Sequence, residues 1–211
     1  MSRRFLRMAV IALVPAGVAC APAVQPLKGI PTVSRALPPL QIAPGHHKVV
    51  FNWEYTEGEM LTRGDGAVRF AAPDSARLDF FVGPLAGAAV LVGDTLRANG
   101  GGMVRRLIPP VPLLWATLGR LAIPALPDTT IVADGDLLHA DIGRPVEWRV
   151  SSRGDTLISL VHIPGGRVAE YVSRAPNGEM VYDVPSARRR LRITVLRTEE
   201  TGAFDASIWI P

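Results

Sequence analysis

The strongest constraint on how this chain can fold is a period of two, repeated in short runs that turn residues cut apart. From Ala76 to Val82, Leu78, Phe80 and Val82 share one side of an extended chain while Arg77 and Asp79 share the other, as a strand with one dry and one wet face requires. Phe51, Trp53 and Tyr55 alternate in the same way with Asn52, Glu54 and Thr56, and Leu191, Ile193 and Val195 with Arg190, Arg192 and Thr194. Each dry face has to be covered by something else in the chain.

The punctuation between the runs is that of antiparallel hairpins. Asp134-Gly135-Asp136, Arg153-Gly154-Asp155 and Pro176-Asn177-Gly178 each separate two apolar-alternating runs, and Arg63-Gly64-Asp65-Gly66 has the composition of a further turn before the run Ala67 to Ala71. Two of these turns spell Arg-Gly-Asp, which in an Arg-rich chain is turn chemistry before it is a recognition signal. Gly83 and Pro84 end the run at Val82, and Leu85 follows where a loop ordinarily carries Ser, Asn or Asp. An apolar tip of this kind is a candidate contact for lipid or a lipid-modified partner. The pattern predicts about eleven strands, the last over Ala206 to Ile210.

One helical region interrupts the strands, over Met103 to Leu121. Pro109, Pro110 and Pro112 suit a helix entrance, and Leu114, Leu118 and Leu121 recur at helical spacing with Trp115 beside them. The segment is apolar nearly all round until Arg120, so it should be buried on much of its circumference. The expected fold class is mainly β: one curved antiparallel sheet, an incomplete β-barrel, with helix covering its concave side.

The first twenty residues have a different character. Arg3, Arg4 and Arg7 precede the apolar run Met8 to Ala19, and Gly17-Val18-Ala19-Cys20 closes it, which is the layout of an export signal and its cleavage site. The run is shorter than the roughly 20 residues that span a bilayer. Cys20 is the only cysteine in the sequence, so no internal disulfide forms. The segment resembles the bacterial lipobox, in which that cysteine becomes the lipid-modified first residue; the alternative is an ordinary secretory signal with an incidental cysteine. Residues 1–20 are therefore expected as a lipoprotein signal peptide, the Pro-rich residues 21–45 as an extended tether, and residues 46–211 as the folded domain.

Charge excludes some functions. Loss of residues 1–19 removes three arginines and no acid, leaving 20 basic against 19 acidic residues. That near-neutral balance offers no concentrated basic face for nucleic acid. His46, His47, His139 and His162 lack the spacing of a helical zinc site, and no Gly-x-Ser-x-Gly elbow occurs. Glu54, Glu57 and Glu59 fit a solvated strand face better than a catalytic carboxylate pair. Neither a cofactor nor an enzymatic activity is expected.

Particular words along the chain resemble the LolB-like outer-membrane lipoprotein receptors, members of the LolA/LolB lipoprotein-localisation fold. They are Ala67-Val68-Arg69-Phe70, Ala76-Arg77-Leu78-Asp79-Phe80-Phe81, Gly83-Pro84-Leu85-Ala86-Gly87, Leu114-Trp115-Ala116-Thr117-Leu118-Gly119 and Val184-Pro185-Ser186-Ala187, followed by the strand from Arg190 to Val195. The resemblance implies a half-barrel around an apolar cavity that accepts acyl chains of lipoproteins or phospholipid. It further implies an outer-membrane, periplasm-facing, lipid-anchored location, a LolA-like carrier as loading partner, and an apolar loop residue, here Leu85, that assists membrane insertion. On this basis the cavity residues are Leu78, Phe80, Val82, Leu114, Trp115, Leu118, Leu191, Ile193 and Val195. An envelope sensor or protein-docking domain on the same scaffold is the other reading.

The protein recovered from membranes is expected to begin at Cys20 and to carry added acyl mass, read by intact-mass spectrometry. A mature N-terminus lacking that mass refutes lipidation.

Overall fold

The computed structural model describes residues 24–32, 36–83 and 85–210. The signal, Cys20 and Pro84 lie outside the described residues. Thirteen strands form one antiparallel sheet: β1 (Ile30–Pro31), β2 (His46–Glu57), β3 (Met60–Ala71), β4 (Ser75–Val82), β5 (Leu85–Val92), β6 (Thr95–Asn99), β7 (Thr129–Asp134), β8 (Leu137–Ile142), β9 (Trp148–Arg153), β10 (Thr156–His162), β11 (Glu170–Arg174), β12 (Met180–Val184) and β13 (Arg189–Thr201). Two helices, α1 (Gly102–Leu107) and α2 (Val111–Thr117), connect β6 to β7. The spatial order runs β1-β7-β8-β9-β10-β11-β12-β13-β2-β3-β4-β5-β6 and does not close, so the expected incomplete barrel is the observed architecture.

The centre of the sheet is β2, which pairs along its full length with both β3 and β13. Its alternation puts Phe51, Trp53 and Tyr55 on the inner face, each almost fully buried. Burial of each such side chain contributes roughly 1.5–3 kcal/mol. The phenylalanine rings of Phe51 and Phe80 meet edge-on at 6.0 Å, and Trp53 meets Phe80 at 6.4 Å, the geometry that aromatic quadrupoles prefer.

Room for these rings comes from β3. Gly64 and Gly66 pair with Trp53 and Phe51 in the middle of a continuous strand, which corrects the expected turn at 63–66: β2 and β3 are joined instead at Gly58-Glu59. A Cβ on Gly64 would sit 2.5 Å from Trp53 Cζ2 and 2.0 Å from the Phe81 carbonyl oxygen, and one on Gly66 would sit 2.4 Å from the Phe51 ring. These glycines are present because the rings lie across them. The second Arg-Gly-Asp does form a turn, between β9 and β10.

The helical region is two short helices, split where Pro109 and Pro110 stand. Six and seven residues are too few for a helix to persist alone, so packing holds both. The side chain of Val104 in α1 occupies the space over Gly87, where a Cβ would approach its Cγ2 to 2.3 Å. From α2, which packs against β10 and β11, the Trp115 indole N–H donates to the Gly93 carbonyl at 2.7 Å, and Arg120 lies over the same ring at 4.7 Å. The helix thus ties the turn after β5 to the opposite half of the sheet.

Two end segments differ from expectation. Within the proposed tether 21–45, β1 pairs with β7 as an edge strand, and Leu40 and Ile42 are buried in the core. Leu40 also accepts the Leu121 N–H at 3.0 Å. Proline density denies helix and central strand, but it does not prevent apolar residues between prolines from packing. Residues Ala206–Trp209 form a short 3-10 turn rather than a strand. It packs on β4 and β5, where Arg77 donates to the carbonyls of Ile208 and Ile210, each at 3.1 Å.

Replacing Gly64 by alanine is expected to lower stability by about 1–3 kcal/mol through overpacking. Gly202→Ala, at a position with open space, is expected to change it by less than about 0.5 kcal/mol. Denaturant melts of the two variants check the contrast.

Candidate functional site

Six consecutive strands, β4-β3-β2-β13-β12-β11, contribute side chains to one apolar cavity of about 200 Å³ on the inner face. Its wall is built from Leu78 on β4, Val68 and Phe70 on β3, and Val49 and Phe51 on β2. Ile193, Val195 and Thr198 on β13, with Met180 on β12, continue it. The end of α2, at Thr117 and Leu118, covers it. That residues so distant in the strand order face one space is the direct consequence of the sheet's curl.

The sequence-derived candidates divide into three groups. Leu78, Leu118, Ile193 and Val195 line the cavity. Phe80, Leu114, Trp115 and Leu191 are buried in the surrounding core and do not line it, and Val82 packs against that core at the far end of β4. Leu85 is the first residue of β5, paired with Val82 and 70 % exposed at the hairpin tip. This tip is displaced from the cavity: Val82 lies four residues along β4 from Leu78, roughly 13 Å at the rise of a strand.

A bulge in β13 keeps the cavity apolar. Val195 pairs with Phe51, yet the next pairs are Arg197 with Val50 and Thr198 with Val49, so Leu196 is an extra residue. With unbroken pairing Arg197 would oppose Val49 and point inward; the bulge turns it out and brings Thr198 in. Leu196 is left 58 % exposed next to the 40 %-exposed Val195.

Beyond the apolar region the same inner face becomes polar. Glu57, which the sequence places on a solvated face, instead pairs across the sheet with Arg189. It accepts from the Tyr55 hydroxyl at 3.0 Å and from Arg106 at 2.9 Å. The hydrogen bond from Tyr55, reinforced by Arg106 and Arg189, holds its carboxyl below the ordinary carboxylate range against the opposing effect of desolvation. Next to it Tyr182 donates to Glu170 at 2.6 Å, and burial, then that carboxylate, pushes the Tyr182 hydroxyl well above its ordinary value. His162 stacks on Trp148 at 4.4 Å. The carboxylates of this cluster are thus paired, while Trp148 Nε1 and Arg189 Nε stay buried without a hydrogen-bond partner.

Arg174, at the end of β11, is the functional candidate that sequence reasoning missed. Its side chain lines the apolar cavity and donates to the Thr117 carbonyl at 3.4 Å. Burial lowers its pKa from the usual arginine value. A larger hollow of about 540 Å³ lies on the outer face, with a mixed lining in which Trp53 and two glycines sit among charged and polar side chains. There Arg63 pairs with Glu54 at 2.7 Å and Asn52 with Asp65, so its polar groups are engaged with one another.

No family model matches the sequence, and no curated protein matches it. Solved structures do match in shape. A LolA superfamily protein from Nitrosomonas europaea superposes with a TM-score of 0.52 at 8 % identity, over 80 % of this chain and 92 % of that one. A domain from Vibrio parahaemolyticus named for outer membrane lipoprotein sorting superposes at 0.50 and 8 % identity, over 78 % and 89 %. At such low identity the likeness is one of fold: the curled, open sheet with its helical cover is that of the LolA and lipoprotein-sorting proteins.

Proposed function

We propose that this chain is a lipid-anchored envelope protein that holds acyl chains in the inner-face cavity. It receives lipoproteins or free lipid, from a LolA-like periplasmic carrier, and passes them to the outer membrane without covalent catalysis. The observation that carries this reading is the cavity itself: a mostly apolar wall on five strands with Arg174 from a sixth, from which a register shift excludes Arg197, covered by the end of a seven-residue helix. The shared fold with lipoprotein-sorting proteins supports it.

Energetics set what the cavity must do. Each methylene taken from water contributes about 0.8 kcal/mol, so a few buried methylenes suffice for measurable retention. The volume of about 200 Å³ is below the roughly 300–1,000 Å³ of pockets that enclose drug-sized ligands. A whole acyl chain therefore needs Leu118 and the end of α2 to lift. Besides packing on β10 and β11, that end is held over β11 by the 3.4 Å bond from Arg174 to Thr117, which is weak by distance.

In this reading Cys20 supplies the anchor. The exposed Leu85, with the 43 %-exposed Phe81 nearby on β4, supplies the membrane contact at the hairpin tip. An envelope sensor or docking domain would use the same tip against a protein.

Residues 21–211, produced without the anchor and purified without detergent, are expected to retain acyl lipid in native mass spectrometry. Leu118→Glu, with the fold intact, is expected to lose it. A clean apo-protein that also refuses added lipopeptide transfers the weight to the sensor reading. Leu85→Glu is expected to leave lipid retention unchanged while reducing lipoprotein transfer to vesicles; undiminished transfer removes the insertion role from this tip.

A further inference from the structure

Arg174 is out of place in an apolar cavity. Register puts Val172 and Arg174 on the inner face, opposite Tyr182 and Met180, and the guanidinium joins Met180, Ile193 and Leu118 in the cavity wall. Among the described residues no carboxylate pairs with it; its hydrogen bond is the long one to the Thr117 carbonyl. The other arginines of the inner face are differently provided for. Arg106 and Arg189 both pair with Glu57, at 2.9 and 3.4 Å, and Arg120 lies over the Trp115 ring; Arg120 Nη1 and Arg189 Nε are buried without a hydrogen-bond partner, but neither residue lines the cavity.

Arg174 is half-buried, and a guanidinium does not discharge when it is desolvated, so the cost of this partial withdrawal from water stays in the fold unless an anion arrives. The lowered proton affinity of Arg174, caused by desolvation with no opposing charge, expresses that same lack. A planar fork of donors matches a carboxylate or phosphate edge in two parallel hydrogen bonds. A neutral ester offers only isolated carbonyl oxygens.

We propose that the cavity selects a single-chain anionic amphiphile, its carboxylate or phosphate head paired with Arg174 and its chain against Val49, Phe70 and Val195. The inference rests on the acyl-binding reading and narrows it. One chain is the most that a cavity of this size takes once the end of α2 lifts, and the head takes over the donors that Thr117 now engages at long range. Binding would therefore release the end of α2 from β11, coupling cargo entry to the opening that the chain's length demands.

The test uses the processed chain, stripped of bound lipid, titrated with laurate, lauroyl lysophosphatidate and the neutral 1-monolauroylglycerol. Charge-assisted hydrogen bonds of about 1.5–3 kcal/mol correspond to roughly a 10- to 100-fold preference for the charged ligands. Arg174→Gln is expected to erase that preference, with an unchanged far-UV circular dichroism spectrum reporting an intact fold, and Arg174→Lys to restore part of it. The two anions separate a carboxylate head from a phosphate head. Equal affinity for neutral and anionic ligands, or an Arg174→Gln variant with wild-type preference, overturns the proposal while the acyl-binding reading stands. Absence of binding by all three ligands removes that reading and this inference together.

Discussion

Everything in this fold depends on the ridge of aromatic side chains that β2 presents to the inner face. Phe51, Trp53 and Tyr55 are each too large to share a flat sheet with equally large neighbours on both sides. The structure resolves the crowding asymmetrically. On one side β3 withdraws, offering Gly64 and Gly66; on the other β13 supplies Leu191, Ile193 and Val195 in pairing register. Core packing tolerates so little misfit in volume that this arrangement fixes which residues of β3 and β13 remain free to line a cavity.

The helices complete what the sheet leaves open. An unclosed sheet of this curvature has more inner surface than its own side chains fill, and α1 and α2 cover part of it. Their anchoring is uneven. Trp115 is locked by its bond to Gly93 and by Arg120 above it; two residues on, the side-chain hydrogen bond that reaches across to β11 is the long one from Arg174 to the Thr117 carbonyl, beside the local bonds that close the helix end. The cross-sheet hold is thus shortest at Trp115 and longest where the cavity lies.

The fold was legible in the sequence wherever alternation ran undisturbed between turn residues, as in β4 and the hairpins of β7–β8, β9–β10 and β11–β12. It failed where one residue type serves two physical ends. Gly64 and Gly66 have the composition of a turn, but they answer to rings on the next strand, a fact invisible in a local window. Prolines at 38, 39 and 44 indicate an extended chain without revealing that Leu40 and Ile42 between them are core. For the site, period-two reasoning brings Leu78, Ile193 and Val195 to one face, and helical spacing adds Leu118. It cannot separate them from Phe80, Leu114, Trp115 and Leu191, because lining and core differ only in where empty space falls. Arg174 escaped because an arginine just before Pro176-Asn177-Gly178 has the sequence signature of a solvated strand end.

The bulge at Leu196 means that β13 changes phase within one continuous strand, odd-numbered positions facing inward before it and even-numbered ones after it. The two halves of the strand are thus independent texts joined by a spacer. Substitutions in the first half are judged by the aromatic ridge, and those in the second by the cavity's edge. A lineage could retune the edge from Thr198 onward without disturbing the centre of the sheet, so long as the spacer keeps its single residue.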